Sequence, residues 1–147
     1  MNTPKNFNCK IEAKTRAADA YKKISRVQDW WAQNFTGSAA NLGDTFTVRF
    51  GDTFVDFKIS EAEPGKKVAW YVTNCWLPWQ NDKTEWNGTT VVFNLNEVDG
   101  VTTVDMTHYG LTPDVECYKN CEAGWSEHLK ESLQPLLAGG KGDPQAG

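Results

Sequence analysis

Apolar and polar side chains alternate along most of the chain. Residues 7–12 turn Phe7, Cys9 and Ile11 to one face, which is typical of a half-buried strand. The alternation returns in five later segments, whose apolar-face side chains include Phe46, Val48, Val55, Phe57, Ile59, Val68, Trp70, Val72, Val91, Phe93, Leu95, Val104, Met106 and His108. Because each predicted strand has its apolar side chains on one side only, we expect one curved antiparallel sheet with a solvent-exposed face and an apolar face.

Helical spacing replaces the alternation in two places. Residues 15–33 predict two short helices, broken near Ser25 and Arg26. After Pro113 the apolar positions recur every three or four residues and predict one face of a long helix, with Pro135 causing a kink or a stop. The apolar positions of this helix are Cys121, Trp125, Leu129, Leu133 and Leu136. The long helix must cover the apolar face of the sheet.

The fold class predicted from this order is α+β. We expect a curved antiparallel sheet of about six strands wrapped around a long C-terminal helix, with two short helices after the first strand. A chain of 147 residues suits one domain with a single core. We expect that domain to span residues 1–138 and residues 139–147 to form a flexible tail.

Charge and hydropathy narrow the possible partners. The net charge is −4 at pH 7 and the basic residues are scattered, which argues against a nucleic-acid partner. No apolar run approaches the roughly 20 residues of a membrane span. The first ten residues lack the apolar core of a signal peptide, so we expect a cytoplasmic protein whose four cysteines are reduced thiols.

Aromatic side chains are unusually frequent. Seven Trp, seven Phe and four Tyr supply large, stiff apolar surfaces. They form either an aromatic-rich core or the walls of an apolar cavity.

The segment CYKNCEAGWSEH, residues 117–128, raises the question of a metal or redox site. Cys117 and Cys121 are one helical turn apart, and their Cβ atoms at about 6 Å would be too far apart for a disulfide. The ligand set for zinc is incomplete even with His128 or His108, so we expect neither a metal nor another cofactor. We interpret Cys121 as a small core residue and Cys117 as a residue near solvent at the helix start.

Two further residues are candidates for a site. His108 is either a polar group at a pocket rim, with a possible general acid–base role, or a histidine bonded to backbone at the end of the sheet. Gly124 costs about 1 kcal/mol inside a helix relative to Ala. Close packing on the sheet, or room for a ligand, would explain its presence.

Several segments in this order resemble the helix-grip fold of the START-like superfamily, and within it the homologues of the heat-shock chaperone ATPase activator. They are Trp30-Trp31, SEAEPGKKVAWYV, GTTVVFNL, TTVDMTHYGL, Gly124-Trp125 and SLQPLLAGGKGDP. The resemblance covers nearly the whole chain and implies a cavity between sheet and long helix, opening toward the small helices. It does not select one function, because this superfamily spans carriers, receptors, cyclases and co-chaperones.

We therefore expect a protein that binds a small apolar or amphipathic molecule, lipid-like or polyaromatic, in this cavity. The expected binding residues are Trp30, Trp31, Phe46, Phe57, Trp70, Trp76, Phe93, Met106, His108, Trp125 and Leu129. No catalytic constellation stands out. The alternatives are a co-chaperone-like interaction module, with a chaperone or other protein as its partner, and a small cyclase or hydrolase using the same cavity. We expect a monomer or a weak dimer.

Overall fold

The computed structural model describes residues 6–145 and has the predicted element order, with one additional strand. The strands are β1 (Phe7–Lys14), β2 (Phe35–Gly37), β3 (Thr45–Phe50), β4 (Thr53–Glu63), β5 (Lys67–Trp76), β6 (Thr90–Val98) and β7 (Val101–Tyr109). The helices are α1 (Ala17–Ser25), α2 (Val27–Trp30), α3 (Tyr118–Glu127) and α4 (Gln134–Leu137). A π-helical segment, His128–Leu133, joins α3 to α4. The α+β helix-grip prediction is confirmed.

All seven strands form one antiparallel sheet in the order β1-β7-β6-β5-β4-β3-β2. The prediction of about six strands missed β2, which has only three residues and pairs with β3. Gly37 ends β2 with a φ of 101°, and a side chain there would collide with the carbonyl oxygen of Thr45. So short a strand has no alternation of its own to reveal it.

The inward face of the sheet is the face that the alternation predicts. In β4, Val55, Phe57 and Ile59 are buried, and the residues between them are not. Cross-strand pairing continues this face, because Met106 lies opposite Cys9 in β1 and opposite Phe93 in β6. The apolar face packs against the small helices and the long C-terminal helix and forms one core.

The long helix buries every fourth residue rather than following the 3.6-residue period. Its buried apolar side chains are Cys121, Trp125, Leu129, Leu133 and Leu137. Residues four apart drift by about 40° per step around an α-helix, so this row would leave the sheet. The wider π-helical turn corrects the drift, and its hydrogen bond from the Gln134 amide to the Leu129 carbonyl marks the change. For the same reason Leu137 is buried instead of the predicted Leu136, and the helix ends there, close to Pro135.

Residues 142–145, predicted as part of a flexible tail, lie along α2 and have defined contacts. The Asp143 amide donates to Oγ of Ser132 at 2.6 Å. The Gln145 amide donates to the Trp31 carbonyl at 2.8 Å, and the Gln33 amide donates to the Gln145 carbonyl at 3.0 Å. These contacts bring Gln145 beside Trp31, the residue that follows α2. Within residues 6–145 no helix is long and apolar enough to cross a membrane.

Candidate functional site

A cavity of about 460 Å³ lies between the first half of the long helix and one end of the sheet. α3 forms one side of the cavity. The opposite side consists of the end of β3, the start of β4 and the loop at 77–89, and Gln145 lies at the border. Its lining residues are Trp31, Phe50, Thr53, Val55, Leu77, Trp79, Trp86, Asn120, Cys121, Gly124, Trp125, His128 and Gln145.

Four indole rings dominate the cavity wall. The centroid of Trp125 lies 4.8 Å from that of Trp31 and 6.0 Å from that of Trp86, to which it is nearly parallel. These three rings are buried, whereas Trp79 is 49% exposed. Stacked aromatic rings have little rotational freedom, so the wall is stiff.

Hydrogen bonds behind the wall fix the orientation of Trp125. Its indole Nε1–H donates to Nδ1 of His108 at 3.0 Å. Nδ1 is therefore the acceptor, so the proton of the neutral ring is on Nε2, which donates to Oγ1 of Thr89 at 2.9 Å. The Thr89 hydroxyl in turn donates to the Trp86 carbonyl at 2.7 Å. This series of hydrogen bonds gives each of its polar groups a partner. It connects α3 to β7 and to the loop at 77–89.

His108 supports the cavity wall from inside the core and does not line the cavity. Its side chain is fully buried, and burial lowers its pKa to about 3. Both ring nitrogens are engaged by side chains, not by backbone as one interpretation of the sequence had it. Near neutral pH the neutral ring holds its Nε2 proton in the bond to Thr89, and its Nδ1 already accepts from Trp125, so the geometry does not favour the general acid–base role.

Gly124 leaves a gap in the helix surface at the cavity. A Cβ placed on Gly124 would have no atom within 4 Å. Close packing on the sheet, one of two explanations offered for this glycine, is therefore wrong, because the residue faces the cavity rather than a strand.

A polar hollow of about 510 Å³ adjoins the apolar cavity. It shares Gly124, His128 and Gln145 with the cavity, and Glu127, Glu131 and Asp143 contribute acidic groups. Burial lowers the pKa of His128, while the carboxylates of Glu127 and Asp143 oppose that shift. The shared residues therefore stand between an apolar and an acidic compartment.

The prediction that Cys117 and Cys121 are too far apart for a disulfide is wrong, because the two residues form one. Cys117 is the residue before α3 begins, so the spacing expected inside a helix does not apply to it. The Cα atoms are 5.6 Å apart, within the range of disulfides. Cys117 is also buried rather than near solvent. The expectation of four reduced thiols is corrected accordingly, with Cys9 and Cys75 remaining free.

Within the described part of the chain, no group of three or more His, Cys, Asp or Glu side chains is arranged to hold a metal ion. The expectation of a protein without metal or cofactor stays a prediction.

The expected binding residues separate into three groups. Trp31 and Trp125 line the cavity. Trp76 is 42% exposed. The others are buried in the core: Trp30, Phe46, Phe57, Trp70, Phe93, Met106, His108 and Leu129. Trp70, for example, packs against Phe93 at 4.8 Å between ring centroids, so these rings fill the centre of the fold. A role for the core residues in binding stays a prediction.

Most residues that line the cavity were not predicted from the sequence. Trp79 and Trp86 lie in the irregular loop, where no periodicity indicates direction. Phe50, Val55 and Leu77 are apolar-face residues near strand ends, and alternation alone does not distinguish them from the centre. Gly124 was the one useful indication of the cavity, because a glycine is unfavourable inside a helix and its presence there suggested a specific role.

Solved structures with similar folds come from several bacteria. The Aha1 dimer from Colwellia psychrerythraea is 27% identical, with a TM-score of 0.76 over 93% of this chain and 98% of that chain. A Staphylococcus saprophyticus protein is 16% identical, with a TM-score of 0.70 over 96% and 98% of the two chains. A Mesorhizobium loti protein is 17% identical, with a TM-score of 0.69 over 89% and 96%. The last two likenesses concern the fold alone.

Curated protein sequences give no match to this chain. A family model does match it, and that match agrees with the structural neighbours. The family model described as "Activator of Hsp90 ATPase homolog 1-like protein" matches residues 19–138, which include most of α1, all of α2, β2–β7 and the whole C-terminal helix. The chain belongs to the family of Activator of Hsp90 ATPase homolog 1-like proteins.

Proposed function

We propose that this chain binds a small apolar or amphipathic molecule in the cavity between α3 and the sheet. The observation that carries the proposal is a wall of four indoles facing open space at Gly124. The volume of about 460 Å³ suits a small ligand, since ligand sites commonly enclose roughly 300–1,000 Å³.

The energy available from such a site is moderate. A ligand that buries roughly 300 Å² of apolar surface gains about 7.5 kcal/mol at ~25 cal/mol per Å². Losses of translational and side-chain freedom offset part of this gain. The full gain would correspond to a Kd of about 3 μM, so after these losses we expect a Kd between roughly 10 μM and 1 mM, with the shape of the ligand restricted by the stiff indoles.

The adjoining polar hollow supports an amphipathic ligand. The apolar part would pack on Trp31 and Trp125, and the polar part would pass His128 and Gln145 toward Glu127. Because the hollow is acidic, a neutral or positively charged polar end is favoured over an anionic one.

A pair of leucine substitutions one residue apart tests the proposal. Gly124→Leu places a side chain in the cavity, whereas Ala123→Leu adds the same side chain at an exposed position. In a titration followed by the fluorescence of Nile red, an uncharged aromatic probe, Gly124→Leu should weaken binding by about tenfold or more, since a pocket contact is worth about 1–3 kcal/mol. Ala123→Leu should match the wild type. Equal binding by both variants, or no binding by the wild type, would refute the proposal.

Interaction with a protein partner is a second candidate function. The family description, the dimeric relative and the exposed indoles of Trp76 and Trp79 support it. Trp76 lies outside the cavity lining, so Trp76→Ala separates this function from ligand binding. The assays are sedimentation over a range of concentrations and ATP turnover by Hsp90 with the chain added. Self-association or increased turnover, lost in Trp76→Ala but kept in Gly124→Leu, would support a partner. A monomer without effect on turnover would count against it.

A further inference from the structure

The two sulfurs of the Cys117–Cys121 disulfide have different surroundings. Cys121 lines the cavity, whereas Cys117 is 1% exposed and lies outside the lining. The indole Nε1–H of Trp86 donates to Sγ of Cys117 at 3.3 Å. A molecule inside the cavity therefore meets Cys121 first.

We propose that this disulfide is a thiol-exchange site, at which a small thiol that enters the cavity becomes linked to Cys121. The incoming thiolate attacks Sγ of Cys121 and forms a new S–S bond. The bond between the two cysteines breaks, and its electron pair leaves on Sγ of Cys117, which takes up the proton released by the incoming thiol. The number of S–S bonds is unchanged, so no further oxidant or reductant is needed.

The surroundings of Cys117 suit a leaving group. Trp86 donates a hydrogen bond to its sulfur, and α3 begins at the next residue, where the helix dipole favours negative charge. The Glu85 carboxylate accepts a hydrogen bond from the backbone amide of Cys117 at 3.0 Å, and its nearby negative charge opposes a charge on the Cys117 sulfur. The Cys117 thiolate is therefore short-lived and either takes a proton or attacks Cys121 again. The second path expels the added thiol and makes the link reversible.

The two free cysteines do not compete for this exchange. Cys9 and Cys75 are both buried, and burial raises the pKa of each thiol. Since the thiolate is the reactive species, both are inert at neutral pH. Neither lines the cavity.

Peptide mapping after treatment with cysteamine, a small thiol whose ammonium group suits the acidic hollow, tests the assignment. The chain is incubated with cysteamine, quenched with iodoacetamide at intervals and analysed by mass spectrometry. We expect cysteamine on Cys121 and the alkyl group on Cys117. Cysteamine on Cys117, no adduct, or alkylation of both residues before cysteamine is added would each overturn the proposal.

The Gly124→Leu and Ala123→Leu variants also test whether the thiol reaches Cys121 through the cavity. This route is the part of the inference that rests on the proposed function. Gly124→Leu should slow adduct formation by about tenfold, because exchange depends on access to the attacked sulfur, and Ala123→Leu should leave the rate unchanged. Equal rates in the two variants would overturn exchange through the cavity. Exchange at Cys121 in a chain that fails to bind Nile red would refute ligand binding alone, and Nile red binding without exchange would refute the exchange site alone.

Discussion

Lowering the pH from 7 to 5 should weaken the fold through His108. Folded His108 stays neutral until its pKa of about 3, whereas in the unfolded chain it takes up a proton near pH 6.5. Between those values the unfolded state binds one more proton, so stability falls as the pH falls. With 1.36 kcal/mol per pH unit as the limiting slope, the loss between pH 7 and pH 5 is about 2 kcal/mol.

Other titrating groups contribute less in this interval. Asp44 and Glu116 have pKa values lowered by hydrogen bonds to their carboxylates, so their stabilising effect is present above their ordinary pKa and is lost only in more acidic solution. His128, the other histidine of the chain, has a pKa lowered by burial, and its effect has the same sign as that of His108. A variant of each histidine therefore separates the two.

Urea unfolding followed by circular dichroism at both pH values measures the difference. His108→Gln removes the titration while keeping a donor and an acceptor, and it should reduce the pH-dependent loss to below about 1 kcal/mol. His128→Gln, the matched control, should keep most of the loss. If His108→Gln is as sensitive to pH as the wild type, the buried neutral histidine is not the source of the pH dependence.

Two substitutions test other parts of the structure by the same urea unfolding. Gly124→Ala should stabilise the fold by about 1 kcal/mol, because alanine is the better helix former and its Cβ meets no atom; a loss of stability would contradict the open space at this position. Ser132→Ala should cost about 1–3 kcal/mol, because the buried Oγ of Ser132 donates to the Trp30 carbonyl and accepts the Asp143 amide, both at 2.6 Å. Hydrogen exchange at Asp143 and Gln145 should accelerate in that variant, and unchanged protection there would mean that Ser132 does not hold the tail.

Alternation was sufficient to predict the core of the sheet because it reports the face of each side chain. Phe57, Trp70 and Phe93 are fully buried on the predicted face. Alternation does not report the position along the sheet, so it could not separate the filled centre from the open end near Phe50. Alternation therefore favoured rings at the centre of the sheet, and Phe57, Trp70 and Phe93 do not line the cavity.

The direction of a side chain was harder to predict where the backbone is irregular. Trp79 and Trp86 lie in a loop without a period, and their approach to Trp125 depends on contacts distant in sequence. The disulfide was missed for a related reason, since ideal helix geometry was applied to Cys117, which lies just outside the helix. For His108 the face was predictable, but its partners Thr89 and Trp125 come from other elements.

The π-helical segment His128–Leu133 has a consequence for comparing this chain with its relatives. A wide turn accommodates an extra residue without moving the two ends of a helix relative to the sheet. A relative with an uninterrupted α-helix would therefore be one residue shorter between Trp125 and Leu137. Aligning the two without a gap would shift Cys121, Gly124 and Trp125 by one position and pair the cavity-facing residues with outward ones. Alignments of this helix should place a single-residue gap inside the π-helical segment before residue roles are transferred.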